Sequence, residues 1–236
     1  MLIRAYLPQI ITALFGGLFV YLGFATFGNG EAFDRLFIFI FIFTGIACKN
    51  NIDVSGIVLI LAFERILEEF LWFSTQDIWY SKVAVYGCLA ILFYRLRYDA
   101  MTKLSIPCLV LSICAESFWF ATDYQSIPEI YWYNVIIGQS MVVRFLLFSR
   151  INLSQRIFNK RAKSINLDWI IHQVTSMFIV IETLNILEYM LRHIFEFKVT
   201  IVYVCYPFAM QAIATFILWA LFNETNKILK KRILSA

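Results

Sequence analysis

The sequence predicts an all-α fold: a polytopic membrane protein whose eight-helix transmembrane bundle is built from sequential hairpins. Of the 236 residues, 61% are hydrophobic and only 15% are charged, whereas soluble domains average roughly 25% charged residues. The apolar residues also gather into runs that approach the ~20 residues needed to cross a bilayer as a helix. Since these runs leave room for little besides turns, we expect one transmembrane domain that covers residues 1–236.

Eight apolar runs are predicted to be the spans. In chain order they cover residues 5–28, 35–48, 54–74, 78–96, 103–121, 130–149, 169–194 and 198–222. The second run is short, but it is unbroken in apolar character from Leu36 to Phe43, so it is counted as a crossing. Most of the connecting segments are short, which favours antiparallel packing of consecutive helices.

The charges between the spans predict the orientation of the bundle. If all eight runs cross, one side of the membrane receives 14 of the 20 basic residues, namely Arg4, Lys49, Arg95, Arg97, Lys103, Arg150, Arg156, Lys160, Arg161, Lys163, Lys227, Lys230, Lys231 and Arg232. The segments on the other side are mainly acidic. Because basic loops stay in the cytoplasm, both termini are predicted to be cytoplasmic. The compact length and short loops favour a cell membrane, of the bacterial inner-membrane type.

Two segments are basic without being long enough to span: a cytoplasmic linker at 150–168 and a cytoplasmic tail at 223–236. In the linker, Leu153, Ile157 and Phe158 recur at helical spacing with bases on the other face, which is typical of a helix lying on a membrane surface. Anionic lipids of the inner leaflet are the predicted partners of seven basic residues, Arg156, Lys160, Arg161, Lys163, Lys230, Lys231 and Arg232. A cytoplasmic protein partner stays open, and nucleic acid is not expected.

The third predicted span carries Glu64, Arg65, Glu68 and Glu69 inside an otherwise apolar run. A charged side chain near the bilayer centre costs ~2.5–3.5 kcal/mol on insertion scales, so such residues usually face a protein interior or a wet cavity. On a helix Glu64 and Glu68 share one face, as do Arg65 and Glu69. We interpret this stretch as part of a polar path through the membrane.

Six acidic residues within the predicted spans are the candidates for binding a transported cation: Glu64, Glu68, Glu69, Glu116, Glu182 and Glu188. Three basic residues, Arg65, Lys82 and Arg144, are the candidate counter-charges. The third, fifth and seventh spans run in the same direction, so their outer acids should lie at similar depths. We expect Glu68, Glu69, Glu116 and Glu188 to converge on one outward-facing pocket, with Glu64 and Glu182 as a deeper step.

Internal similarity favours related hairpins. Residues Glu69–Thr75 and Glu116–Thr122 share Glu, Trp, Phe and Thr at matching positions, although chance recurrence in an aromatic-rich membrane sequence is the alternative. The first hairpin has no charge in the interior of its spans, since Arg35 stands at the outer end of the second one, and Gly16, Gly17 and Gly23 would permit close helix approach. A homo-oligomer is therefore expected.

The excess of carboxylates within the spans favours a protein that handles cations or protons, as a channel or a coupled transporter, because carboxylate rings select cations. The alternative is a non-transporting membrane anchor or sensor subunit of a larger assembly, whose polar core is structural. Only two histidines are present, His172 and His193, so no metal site and no cofactor are predicted. A metal-free acid–base site of two glutamates is the remaining catalytic alternative, and an enzyme is not the preferred interpretation.

Overall fold

The structure of the protein is a computed structural model, and its description covers residues 10, 13, 16–18, 20–26, 29–75, 79–122, 130–159, 161–194, 198 and 200–235. Seven helices have both ends within these residues: α1 (Gly30–Ala47), α2 (Ile52–Thr75), α3 (Trp79–Arg95), α4 (Thr102–Thr122), α5 (Ile130–Phe158), α6 (Asn166–Ile194) and α7 (Ile201–Ser235). The described residues between 10 and 26 are helical too, and no strand occurs in the part of the chain that is described. The prediction of an all-α fold is confirmed.

Four helices are long and apolar enough to cross a membrane, which indicates a multi-pass membrane protein. Their apolar ranges are Thr102–Thr122, Ile130–Phe158, Asn166–Ile194 and Ile201–Ile228. The other predicted spans are helical as well where the structure describes them, but α2 carries four charges in its second half and α3 has only 17 residues. In α1 the apolar part is limited to Arg35–Ala47. The bundle of eight crossings therefore stays a prediction.

Polar side chains cap the starts of α1 and α2, at Gly30 and Ile52, whereas the predicted spans start at 35 and 54. The side chain of Asn29 accepts a hydrogen bond from the backbone N–H of Ala32 at the start of α1. Asn51 does the same for Asp53 and Val54 at the start of α2. Such caps satisfy backbone donors that the first turn of a helix leaves without an intrahelical acceptor.

The linker predicted at 150–168 is mostly helical, but its helix is not separate from the span before it. Helix α5 continues without a break to Phe158, and α6 begins at Asn166. Asn159 follows the end of α5 with a φ of 52°, a left-handed conformation that asparagine tolerates better than most residues and that commonly ends a helix. The tail at 223–236 likewise continues α7 as far as Ser235.

The chain divides into two compact units, and the prediction of a single transmembrane domain stays untested. Unit 1 comprises Met1–Leu59, Arg150–Ile171 and Pro207–Ala236. Among its described residues, a Cβ added to Gly56 would collide with the Ser154 side chain, which shows that α2 and α5 approach closely there. In the same unit the Gln211 side chain donates to the backbone oxygen of Thr26 at 3.0 Å.

Unit 2 comprises Ile60–Ser149 and His172–Tyr206. Its core is a cluster of buried apolar and aromatic side chains that includes Phe93, Ile137, Met141, Ile179 and Ile186. At Gly138 the backbone of α5 lies against Leu89 of α3 with no room for a Cβ. All six candidate acids and all three candidate counter-charges belong to unit 2.

Candidate functional site

The most deeply buried of the candidate acids is Glu182, on α6. Its side chain is fully buried. The hydroxyl of Tyr206, on α7, donates a hydrogen bond of 2.6 Å to its Oε1, whereas its Oε2 has no hydrogen-bond partner among the described residues. One oxygen of this buried carboxyl group is therefore held by a phenol, and the other is sealed from solvent without a donor.

Three more side chains surround this pair. The carboxylate of Glu68 is close enough to act electrostatically on both Glu182 and Tyr206, and the phenol of Tyr133 interacts with both as well. Asn185 lies almost one helical turn beyond Glu182, is buried, and acts on the phenol of Tyr133. We call Glu68, Tyr133, Glu182, Asn185 and Tyr206 the Glu182 cluster.

The acids of α2 are organised around Arg65. Its Nη1 donates to Glu68 Oε2 at 2.6 Å, and its Nη2 lies 4.0 Å from Glu69 Oε1. The predicted pairing of Arg65 with Glu69 is thus the longer of the two ion pairs. Glu64 is half-buried and interacts electrostatically with both Arg65 and Glu68. Side-chain exposure falls from 58% at Glu69 to 28% at Glu68.

Glu116 has a phenolic partner of its own. The hydroxyl of Tyr86, on α3, donates to Glu116 Oε1 at 2.7 Å. The ammonium group of Lys82 lies over the ring of Tyr131, 4.6 Å from its centroid, and acts electrostatically on Glu116. Lys82 therefore supplies positive charge near Glu116, and its role as a counter-charge stays a prediction.

Glu188 binds the backbone at the start of α7. Its Oε2 accepts from the N–H of Val202 at 2.6 Å, and its Oε1 accepts from the N–H of Tyr203 at 3.1 Å. A carboxylate at this place satisfies two unpaired donors of the first helical turn and interacts favourably with the helix dipole. The arrangement gives the buried carboxyl group of Glu188 a capping role that the sequence pattern did not indicate.

The outer acids thus differ in their partners: Arg65 for Glu68 and Glu69, Tyr86 for Glu116, and backbone amides for Glu188. Their convergence on a single outward-facing pocket stays a prediction. What the structure brings together is Glu68 with the deeper Glu182.

Arg144, the third candidate counter-charge, binds an acid outside the predicted set. Its Nε and Nη2 donate to Asp99 Oδ2 and Oδ1 at 2.9 and 3.0 Å. Its Nη1 donates to the backbone oxygen of His172 and to the hydroxyl of Ser176. Burial alone would raise the pKa of Asp99, but the hydrogen bonds from Arg144 and from the backbone N–H of Met101 outweigh burial and hold that pKa below its ordinary value.

Uncharged polar side chains in the core of unit 2 were missed by the sequence reasoning. Asn134 donates to the Ser112 hydroxyl at 2.7 Å, but its Oδ1 and the Nε2 of Gln139 have no partner among the described residues. Both residues are buried on α5, between its start and Arg144. The only available signal was a single amide within an apolar run, which is weaker than a charge.

Arg150, counted above among the basic residues of the cytoplasmic side, is almost completely buried in unit 1 at 1% exposure. Its Nε and Nη2 donate to the two carboxylate oxygens of Asp168 at 2.5 and 2.7 Å. Nη1 donates to the backbone oxygen of Asp53 and Nη2 to that of Lys163. Asp53 in turn accepts from the backbone N–H of Lys163 at 2.6 Å. We call these residues the Arg150 network.

The candidate lipid-binding residues are mostly at the surface where they are described. Arg156, Arg161 and Lys163 are exposed and Lys230 is half-buried. Lys160 lies outside the described residues, as do the side chains of Lys231 and Arg232. The exposed bases are therefore free to meet lipid headgroups, and the lipid partner stays a prediction.

Within the described part of the chain, no group of three or more His, Cys, Asp or Glu side chains is placed to hold a metal ion. No family model matches the chain, and comparison with curated proteins and with solved structures finds no match. Any functional interpretation must therefore come from the residues themselves.

Proposed function

We propose that the protein handles protons or other cations across a membrane, as a channel or a coupled transporter, through the carboxylates of unit 2. The observation that carries the proposal is the fully buried carboxyl group of Glu182, with one oxygen bonded to Tyr206 and the other without a donor in the described part of the chain. An ionised carboxylate buried in this way is strongly disfavoured unless a proton or a cation neutralises it. A group that must gain a positive ion to be stable is a natural ion-binding element.

A gradient of exposure supports the same proposal. Along the series Glu69, Glu68 and Glu182, side-chain exposure falls from 58% to 28% to 0%. Arg65 forms ion pairs with both Glu69 and Glu68, and Glu68 acts electrostatically on Glu182. Acidic side chains at successive depths are what a stepwise path for a positive ion requires, and intramembrane acids commonly mark such paths.

The setting that goes with this function is also proposed: eight crossings, both termini in the cytoplasm, and a cell membrane of the bacterial inner-membrane type. The distribution of basic residues supports the orientation.

Labelling of a Gln155→Cys variant tests the orientation, because Gln155 is exposed, whereas Ser154 beside it is buried. A membrane-impermeant thiol reagent should reach this residue only from the cytoplasmic side, and labelling from outside intact cells would contradict the orientation.

A homo-oligomer is proposed on the apolar surface of the first hairpin. Phe39 and Ile42 of α1 are 63% and 58% exposed, so this helix can face either lipid or a second copy. Mass photometry of the protein in native-lipid nanodiscs distinguishes the two. Particles of a single chain would contradict the oligomer without affecting the proposed ion handling.

The function itself is tested by flux in proteoliposomes. Wild-type protein should dissipate an imposed gradient of protons, Na⁺ or K⁺, and Glu182→Gln and Glu68→Gln should reduce the flux toward the level of empty liposomes. The matched control is Glu224→Gln: Glu224 belongs to unit 1, follows the predicted end of the last span at residue 222 and pairs with Lys227 at 2.6 Å, and this variant should behave as wild type. If the wild-type protein carries no ion under any of the three gradients, the transport proposal fails.

The second candidate is a non-transporting anchor or sensor subunit with a structural polar core and a cytoplasmic protein partner. The observation that favours it is the full pairing of the two buried arginines, Arg144 and Arg150, with Asp99 and Asp168. Buried ion pairs can serve register and specificity instead of transport. This function predicts no flux for the wild-type protein and no functional difference between wild type and Glu182→Gln.

A further inference from the structure

The space around Glu182 limits which ion it could hold. A bound Ca²⁺ takes about 6–8 oxygen ligands, and Mg²⁺ demands a near-octahedral set with several waters. Beside the Glu182 carboxylate, the cluster provides the phenol oxygens of Tyr133 and Tyr206, the amide of Asn185, and the carboxylate of Glu68, which Arg65 already binds at 2.6 Å. Oε2 is sealed from solvent, so a cation there could not keep its own water molecules.

The charges that face Glu182 favour the same conclusion. The groups that act on Glu182, or on the phenol bonded to it, are Tyr206 from α7, Tyr133 from α5 and Glu68 from α2. The only charged group in this set is another carboxylate, and Arg65 is already bonded to it. The guanidinium group of Arg192 acts on Tyr133 and lies over the Tyr203 ring, 5.3 Å from its centroid. Two ionised carboxylates facing each other in a buried site would repel, and a proton on one of them removes that repulsion.

From the ligand set and the charges together, we propose that the ion bound at the Glu182 cluster is a proton carried on Oε2 of Glu182, with Tyr206 as the positioning residue that holds the carboxyl group through Oε1. This deepens the proposed function, on which it rests, by naming the proton as the ion. Binding forms the O–H bond on Oε2 and neutralises the carboxylate, and release returns the same proton with no other bond changed. Tyr206 keeps its own hydrogen throughout, because its hydroxyl donates to Oε1 in either state.

The test is infrared spectroscopy of the full-length protein in nanodiscs, which reads protonation without requiring transport. A neutral carboxyl group gives a carbonyl stretch that an ionised carboxylate lacks. Wild type should show such a band near neutral pH, and Glu182→Gln should remove it. Tyr206→Phe should keep the band but move it to higher frequency, because the carbonyl oxygen loses its hydrogen bond. Tyr86→Phe is the matched control: it breaks the other phenol–glutamate pair, Tyr86 with Glu116, and should leave the Glu182 band where it is.

Two outcomes would overturn the proposal. The first is that no neutral-carboxyl band disappears in Glu182→Gln or shifts in Tyr206→Phe. If Glu182→Gln does not fold, the Tyr206→Phe variant alone still provides this test. The second is loss of the band when Na⁺, K⁺ or Ca²⁺ is added at constant pH, which would make the site one for metal cations. In that second case the proposed ion handling survives. Conversely, a proteoliposome assay without flux alongside an intact Glu182 band would refute the function and leave the proton site standing.

Discussion

Arg150 in unit 1 and Glu182 in unit 2 are both ionisable residues with almost no exposed surface. Arg150 donates to two carboxylate oxygens and two backbone oxygens, so its charge and its donors are matched. Glu182 accepts one hydrogen bond, from a neutral phenol, and its other oxygen has no donor among the described residues. A buried charge that is fully paired stabilises one arrangement of the chain. A buried acid that is half satisfied depends on an ion to complete its surroundings, and it is the better candidate for chemistry.

The largest effect on stability is expected for Arg150→Ala. Removing the guanidinium group leaves Asp168 and the backbone oxygens of Asp53 and Lys163 without their donor, and breaking a buried ion pair from one side costs roughly 3–5 kcal/mol. The variant should lose much of its folded yield, and its thermal unfolding midpoint in detergent should fall well below that of wild type. Arg156→Ala, at an exposed position of the same helix, is the control and should unfold like wild type. If Arg150→Ala has the same unfolding midpoint as wild type, the contrast between a structural Arg150 and a half-satisfied Glu182 is wrong.

A smaller and pH-dependent effect is expected at Asp99, whose carboxylate is 24% exposed and bonded to Arg144. Because the pKa of Asp99 is lowered in the folded protein, its contribution to stability is present above the ordinary aspartate value and is lost as the pH falls through the lowered pKa. Arg144→Ala should cost about 1–3 kcal/mol at neutral pH, because the partly buried carboxylate of Asp99 loses its charged partner and keeps only the hydrogen bond from the Met101 N–H.

Thermal unfolding at a series of pH values checks this prediction. Wild type should lose stability as the pH falls below 3.8, the ordinary pKa of an aspartate. Asp99→Asn should lose less stability over the same fall in pH. Arg95→Ala changes an exposed base near the same loop and should follow the wild-type curve. Parallel curves for wild type and Asp99→Asn would show that this ion pair does not couple stability to pH.

The helices were predictable because their signals are local. Apolar runs and nearby capping side chains such as Asn51 define helix ends within a few residues, and no distant part of the chain is needed to locate them. The exceptions are α5, which continues past its predicted end at residue 149 to Phe158, and α7, which continues past residue 222 to Ser235. The predicted linker at 150–168 also has helical spacing of its apolar residues. Periodicity therefore cannot tell one long helix from a span followed by a separate short helix.

The partners of the charged residues were not predictable because they are set by tertiary packing. Arg144 binds Asp99 from a loop outside the predicted spans, so a search confined to charges within spans could not pair them. Glu188 binds backbone amides, which carry no mark in the sequence. Arg150 was counted as a surface base because it follows a span, and its burial depends on Asp53 and Asp168 from two other helices.

An effect of about 1 kcal/mol is expected for Glu188, whose carboxylate caps α7. Glu188→Ala removes the acceptor for the N–H groups of Val202 and Tyr203, and losing a cap typically costs ~0.5–2 kcal/mol. Glu188→Gln keeps one acceptor oxygen and should fall between alanine and wild type in thermal unfolding. If instead both variants unfold like wild type but lose ion flux, Glu188 belongs to the transport path and the predicted pocket of outer acids is favoured over the capping role.

The smallest effect on stability, near zero or slightly favourable, is expected for Glu182→Gln. Glutamine has the shape of the neutral acid, its carbonyl oxygen can still accept from Tyr206, and it carries no charge to bury. The thermal unfolding midpoint of Glu182→Gln should therefore equal or exceed that of wild type while ion flux is lost. Arg150→Ala is expected to behave in the opposite way. Glu182→Ala is the informative counterpart, because it leaves a cavity and frees the Tyr206 hydroxyl, so it should lose both stability and flux. Were Glu182→Gln instead as unstable as Arg150→Ala, the ionised carboxylate would be a structural partner, and the anchor interpretation with its paired polar core would be the better account of unit 2.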